Sequence, residues 1–395
     1  MRILYITPRV PFPPRKGDQL RSYQQLKGLH KLGHDIHLIS FGQGTVPQEL
    51  AKICSKVDLV PFSKITALKN TVIGLKNSSP LQVAFYTSEN FTRTIDHAIR
   101  NNYYDIVHSQ LVRTFPYFHS IKELPNVIDF VDCISLNLNR RTAFTRSLLN
   151  PVFSFESKRI ARLEKAAAVC YDGGIFISKV DKAAVTSDST VTTISNGVDL
   201  DYFSYQHEFT SENNVVFVGN MSYAPNREGV KHFIQNIYPH IKITEFKLYI
   251  VGREPTKDII ALSGKYPNIV VTGEVPDIRT YLRRAKLFVC PLQTGAGVQN
   301  KVLEAMAAGV PVLTTSIVND PIGGRDNDTI FVRNSDKDFA ASITELLSKP
   351  AQLEQTRAAA RQFVEQHYRW ERLNRQLEQF YRDVIQKKRL NEVTG

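Results

Sequence analysis

Cysteine is sparse in this chain: four among 395 residues, Cys54, Cys133, Cys170 and Cys290, with no C-x-x-C pair. That scatter argues against a disulfide framework or a thiolate zinc site, and the four are expected as reduced core thiols. Long apolar runs are lacking too. No stretch is long and apolar enough to span a bilayer, and the first apolar run, Met1 to Pro8, is too short for a signal peptide and stops at a proline. A cytoplasmic protein is the expectation. Acidic residues are in deficit, 38 against 50 Lys and Arg, for a net charge of +12. The excess implies attraction to anions, with a solvated basic surface as the plainer account of much of it. A compact Lys/Arg run with interleaved aromatics is missing, so nucleic acid ranks below phosphorylated small molecules and anionic membrane surface. Peripheral contact at the inner face of a membrane is a second expectation.

What is present suits two globular domains. Single cores seldom grow past ~250 to 300 residues, and 42% hydrophobic with 22% charged residues is an ordinary soluble composition. Strands are expected over 3–7, 36–41, 56–60, 104–108, 126–131 and 174–178, with a helix over 19–32 after a proline-rich loop that ends at Gly17 and Asp18. The interval 63–91 is amphipathic, and a helical acceptor surface is one reading of it. Residues 135–168 read as one long basic helix with Arg140, Arg141, Arg146, Lys158, Arg159, Arg162 and Lys165. Two accounts stand for it: a charged outer face, or a patch for an anionic acceptor or membrane headgroups. Polar sequence over 204–214 reads as a linker. Alternation then restarts, with strands over 215–218, 246–251, 269–272 and 286–291 and helices over 227–238, 256–265 and 278–284. Such alternation in both halves predicts an α/β protein of two doubly wound, Rossmann-like parallel sheets. From 339 onward the chain reads as helical.

The stretch 295–315 carries the most chemistry. Gly295 and Gly297 permit close backbone approach, and a helix over 298–308 points its free N–H groups into that loop, which makes a phosphate seat. Lys301 and Glu304 share a face with Gly297, while Val298, Val302 and Met306 form the buried stripe. An ammonium can meet a diphosphate, and a carboxylate one turn on can accept from ribose hydroxyls. The plainer alternative is a core helix with Lys301 and Glu304 paired at the surface.

The order of several motifs then resembles the retaining glycosyltransferases of the GT-B fold, family 4, in the branch of exopolysaccharide sugar transferases. The residues that carry the likeness are Pro11 to Tyr23 (PFPPRKGDQLRSY), Asp129-Phe-Val-Asp132, Asn196-Gly-Val-Asp199 with Phe203, Tyr223-Ala-Pro-Asn226, Ile250-Val-Gly252, Thr272 to Pro276 and Lys301 to Val312. The likeness implies two parallel sheets facing across a cleft. It implies an acceptor-side domain over 1–205, with the helix 371–395 returning to it, and a donor domain over 206–370 that binds a nucleoside diphosphate sugar. No cofactor or metal is implied, because positive groups and helix N-termini stabilise the leaving diphosphate.

By the same likeness Glu304 is the ribose carboxylate of the paired-glutamate motif, whose first position is held here by Ala296. Lys301 is the diphosphate cation. Gly219, Asn220, Arg227, Val275, Gly295, Ala296, Gly297 and Val298 line the donor, and Arg253 or Arg227 replaces the usual basic pair after the strand preceding Gly219. Gly17 and Asp18 approach the donor from the first domain, whereas Arg21, His108 and Asp132 are acceptor-side candidates, Asp132 being also a catalytic one; simple loop and cap roles are the alternative for Asp18 and Arg21, and a structural role is the commoner reading of a lone histidine such as His108. The implied activity is retaining hexosyl transfer to a lipid-linked or saccharide acceptor in bacterial surface polysaccharide assembly. A nucleotide-sugar epimerase of the same fold and a degenerate nucleotide-sugar-binding subunit are the alternatives.

Overall fold

The computed structural model describes residues 1–76, 79–144, 148–206, 210, 212–243, 245–295 and 297–394, and only the backbone of 76, 144 and 392–394. Ala296 and Arg146 lie outside the described residues. The chain divides into two compact units, Met1–Asn196 with Trp370–Gly395, and Gly197–Arg369.

The first unit holds seven strands: β1 (Arg2–Thr7), β2 (Asp35–Phe41), β3 (Lys56–Val60), β4 (Ile106–Gln110), β5 (Asn126–Val131), β6 (Gly173–Phe176) and β7 (Val191–Thr193). They form one sheet in the order β3-β2-β1-β4-β5-β6-β7, parallel throughout. Every residue of β4 and β5 is buried, as expected of strands covered on both faces. The basic segment expected as one helix is two, Ile134–Phe144 and Asn150–Cys170. The break has a cause: Pro151 sits in the first turn of the second helix, where its missing N–H costs nothing, and could not sit mid-helix. Arg159, expected on the charged outer face, is instead buried and donates to the carbonyls of Gly74 and Ser79. The interval 63–91 contains the helices Lys64–Lys76 and Leu81–Phe85.

The terminal helix Trp370–Thr394 belongs to this unit. It lies against the helix Gly17–Lys31, where Asn374 Nδ2 donates to the Gln24 carbonyl at 3.2 Å. A Cβ on Gly28 would come within 2.0 Å of that same amide nitrogen, so the glycine is what lets the helices approach.

The second unit holds β8 (Asn214–Val218), β9 (Lys247–Val251), β10 (Ile269–Gly273), β11 (Leu287–Cys290), β12 (Val312–Thr314) and β13 (Phe331–Val332). Their order is β10-β9-β8-β11-β12-β13, again all parallel. Residues 197–205, assigned on sequence to the first domain, fold with the second: Val198, Leu200 and Phe203 join its core, and the Val198 amide donates to the Tyr368 carbonyl at 2.8 Å.

Candidate functional site

In an open parallel sheet a ligand is received at the carboxyl ends of the strands, where the strand order reverses. That point lies between β8 and β11 in the second unit and between β1 and β4 in the first.

In the second unit the strand ends are drawn close. Gly252 has φ 145°, and a Cβ there would lie 1.9 Å from the Gly219 carbonyl oxygen, so no other residue fits. A Cβ on Gly219 would meet Asn226 Nδ2 at 2.7 Å. Asn226 is buried and joins three elements: its Nδ2 donates to the Asn220 carbonyl at 2.9 Å, and its Oδ1 accepts from Lys301 Nζ. Lys301 Nζ also stands 4.6 Å from the centroid of the Phe217 ring. In sequence Asn226 stands out only as the end of the Tyr223-Ala-Pro-Asn226 motif. Its place in the first helical turn after β8, at the reversal point, is the signal that marks it.

Lys301 and Glu304 sit on the helix Asn300–Ala307, whose apolar side is buried through Val302, Leu303 and Met306. The helix begins two residues later than expected and has no side-chain cap at Gln299. Ahead of it Gly295 (φ 140°) and Gly297 (φ 66°) adopt backbone angles that favour glycine. The surface ion pair of the plainer alternative is absent among the described residues: the ammonium is turned to Asn226, and the Glu304 carboxylate has no hydrogen-bond or ion-pair partner. Burial lowers the Lys301 pKa, opposed by Cys290 and Glu304. Burial likewise pushes the Glu304 carboxyl up to about 7, against the pull of Lys301.

The remaining donor-side candidates take lesser places. Arg227 is committed to Glu228 at 3.1 Å, Asn220 Oδ1 accepts from the Ser222 amide at 2.8 Å, and Arg253 is half-buried, its carbonyl accepting from the Met221 amide at 3.0 Å. Val275 packs against the core, and Val298 is buried. A cavity of about 530 Å³ between the helix Lys257–Ser263 and β10 meets this edge only at Thr272 and Gly273.

In the first unit two candidates turn out to be core residues. Arg21 is fully buried; its Nε donates to Asp129 at 2.6 Å, and its other nitrogens to the Ile194 and Ser195 carbonyls and Asn196 Oδ1, each at 3.0 Å. The guanidinium therefore fastens the end of the unit rather than meeting an acceptor. His108 is also fully buried, stacked on Tyr5 with ring centroids 4.2 Å apart, its Nδ1 2.7 Å from the Tyr381 hydroxyl. Burial lowers its pKa to about 4, so it stays neutral at physiological pH. Gly17 is exposed, with open space where a Cβ would stand.

What gathers at the β1/β4 reversal point is a pair of arginines absent from the sequence candidates. Arg9 pairs with Asp18 at 2.6 Å. Arg113 donates to Gln82 Oε1 at 3.0 Å and has no carboxylate partner among the described residues. Both guanidinium groups stand near the Tyr86 ring, at 6.0 and 5.6 Å, and border a cavity of about 300 Å³. The Arg113 pKa is lowered by burial and by the like charge of Arg9, against the opposing pull of Tyr86, Asp18 and Asp132. Asp132, just past β5, accepts from Asn137 at 2.9 Å. Burial and the nearby Asp181 push its carboxyl up to about 7. The backbone leading to these groups is strained: Leu111 and Val131 hold φ of 66° and 67°, unusual for a bulky and a β-branched residue. A strand-end position was the available signal for Arg9 and Arg113.

Comparison with known proteins bears on the fold and the family. A Klebsiella pneumoniae protein described as an uncharacterized 44.6 kDa protein in the cps region is 23% identical over 387 residues, covering 93% of this chain and 96% of that protein. The sucrose-phosphate synthase of Thermosynechococcus elongatus superposes with a TM-score of 0.75 at 16% identity, over 98% of this chain and 100% of that one. The Anabaena protein HepE, in complex with UDP and glucose, superposes with a TM-score of 0.67 at 13% identity, over 96% and 98%. Residues 212–349 match the family described as glycosyl transferases group 1. The chain thus has the GT-B fold of two parallel-sheet α/β units, and the unit that holds Lys301 and Glu304 matches glycosyl transferases group 1.

Proposed function

We propose that this protein is a retaining, metal-independent glycosyltransferase that moves a hexose from a nucleoside diphosphate sugar to a saccharide or lipid-linked acceptor in surface polysaccharide assembly. The observation that carries the reading is the pair at the β8/β11 reversal point: an ammonium fixed by Asn226, and a carboxylate one turn on with no protein partner among the described residues. Lys301 neutralises the diphosphate as it leaves, and Glu304 accepts from the ribose hydroxyls. UDP is the first nucleotide to test, since the HepE complex holds UDP, and the cps-region relative supports the polysaccharide setting.

In the proposed reaction the bond between the anomeric carbon and the diphosphate oxygen breaks, and the acceptor oxygen bonds to the same face of that carbon. The departing phosphate oxygen takes the acceptor proton, so no protein base is required. On the first unit, Arg9 and Arg113 suit an anionic acceptor. Asp132, titrating near neutrality, can hold or release a proton beside it.

The test is nucleoside diphosphate release from a panel of nucleotide sugars with acceptor, with the product anomer read by NMR and turnover repeated in EDTA. Retained configuration and EDTA-insensitive turnover are expected. An inverted product, or loss of turnover in EDTA, would overturn those parts of the reading; release of an isomerised nucleotide sugar without acceptor would identify an epimerase instead.

A further inference from the structure

The helix Lys64–Lys76 is amphipathic in the reverse of the usual sense. Its inward positions are small: Ala67 is buried, and Gly74 sits so close to the helix Leu81–Phe85 that a Cβ would come within 2.7 Å of Ala84 Cβ. Its large aliphatics face out, with Ile65 85%, Leu68 64%, Val72 55% and Leu75 56% exposed. These four recur at alternating intervals of three and four and make one stripe.

A second apolar group adjoins it at the start of the helix Asn150–Cys170, where Leu148, Leu149, Val152 and Phe155 are exposed. The two groups are locked side by side: Arg159 donates to the Gly74 and Ser79 carbonyls, and Glu156 accepts from the Leu81 amide at 2.6 Å. With Ile73, these segments carry nine of the sixteen exposed large hydrophobic side chains among the described residues. A clustering of that kind marks a surface that is covered in use.

Charge points to what covers it. Lys64, Lys69, Lys158 and Arg162 are exposed on the same two helices. The first helix has no acidic residue, and Glu156 and Glu164 of the second are buried. Lysine is depleted at protein–protein interfaces, whereas aliphatic stripes flanked by lysine and arginine suit the boundary between headgroups and acyl chains. No helix among the described residues is long and apolar enough to cross a membrane, so the face would lie on a bilayer rather than span it.

We propose that the outward stripe of Lys64–Lys76, together with the start of Asn150–Cys170, docks on an anionic lipid bilayer. The inference stands apart from the donor assignment, because it needs no nucleotide. It is tested by flotation of the full chain with phosphatidylcholine vesicles, with and without phosphatidylglycerol. Wild type floats with the anionic vesicles, less so in high salt, and the double variant Leu68→Glu/Val72→Glu partitions about tenfold less or worse. Both positions are exposed, so the melting temperature stays put, and the exposed Ile260→Glu outside the patch floats as wild type. Failure of wild type to float, or undiminished flotation of the double variant, would overturn the proposal. So would light scattering showing a lipid-free dimer that the double variant dissolves, because the stripe would then be covered by a second copy.

Discussion

At the scale of single residues the account turns on Lys301 and Glu304, and both were legible in the sequence because helical periodicity alone separates their face from the buried stripe. Since burial raises the Glu304 carboxyl to about 7 and its anion is the form that accepts from ribose, nucleotide affinity should rise with pH through 7 and fall below it. Calorimetry across pH 5.5 to 8.5 checks this, with Glu304→Gln flattening the profile; each unit well below the pKa lowers affinity about tenfold. Asp132→Asn should raise the unfolding free energy at pH 8 by on the order of 1 kcal/mol in chemical denaturation, while lowering turnover. The sign follows from the raised carboxyl, pushed up to about 7, which penalises the folded anion at any pH above its unfolded value, so the gain shrinks as pH falls toward 4. For His108 the structural alternative holds: the strand expected to end there runs on to Gln110, which puts the ring mid-strand in the core, while the burial of Arg21 on its helix is not revealed by residue type. Arg21→Ala, leaving the buried Asp129 without its cation and with only the Gln25 and Val131 N–H donors, should cost about 3–5 kcal/mol in chemical denaturation. Asn226, Arg9 and Arg113 were missed since their roles arise from partners far along the chain, such as Lys301 for Asn226 and Tyr86 for both arginines.

At the scale of elements, strand and helix alternation was readable wherever an apolar run ended in a turn signal, and β3 and β5 fall on the expected residues. Two elements were not so readable. The break at Pro151 was hidden by apolar periodicity continuing on both sides of it, and β13, two residues long, is defined by its pairing with β12 rather than by any pattern of its own. The glycine after β9 has the sharper consequence. With φ 145° and the Gly219 oxygen 1.9 Å from a notional Cβ, Gly252→Ala must push β8 and β9 apart at their carboxyl ends. A loss of about 3 kcal/mol in urea unfolding is expected, with weakened nucleotide binding in whatever folded protein remains. Gly17→Ala, into open space, should leave stability within about 0.5 kcal/mol of wild type and so serves as the control.

At the scale of the whole molecule the chain is two parallel-sheet units, each with its candidate groups at the point where strand order reverses. The alternation of elements foretold the two sheets, but not where one ends: Val198, Leu200 and Phe203 look like the tail of the first unit in sequence and are core of the second in space. Net charge of +12 suits the anionic ligands proposed above, a diphosphate at Lys301 and an anionic acceptor group at Arg9 and Arg113. The measurement closest to the central claim is calorimetric titration of UDP into wild type, Lys301→Met and Glu304→Ala at pH 8. The account predicts binding by wild type and a loss of about 1.5–3 kcal/mol in each variant, the worth of one charge-assisted hydrogen bond. Wild-type affinity retained in both variants would contradict it.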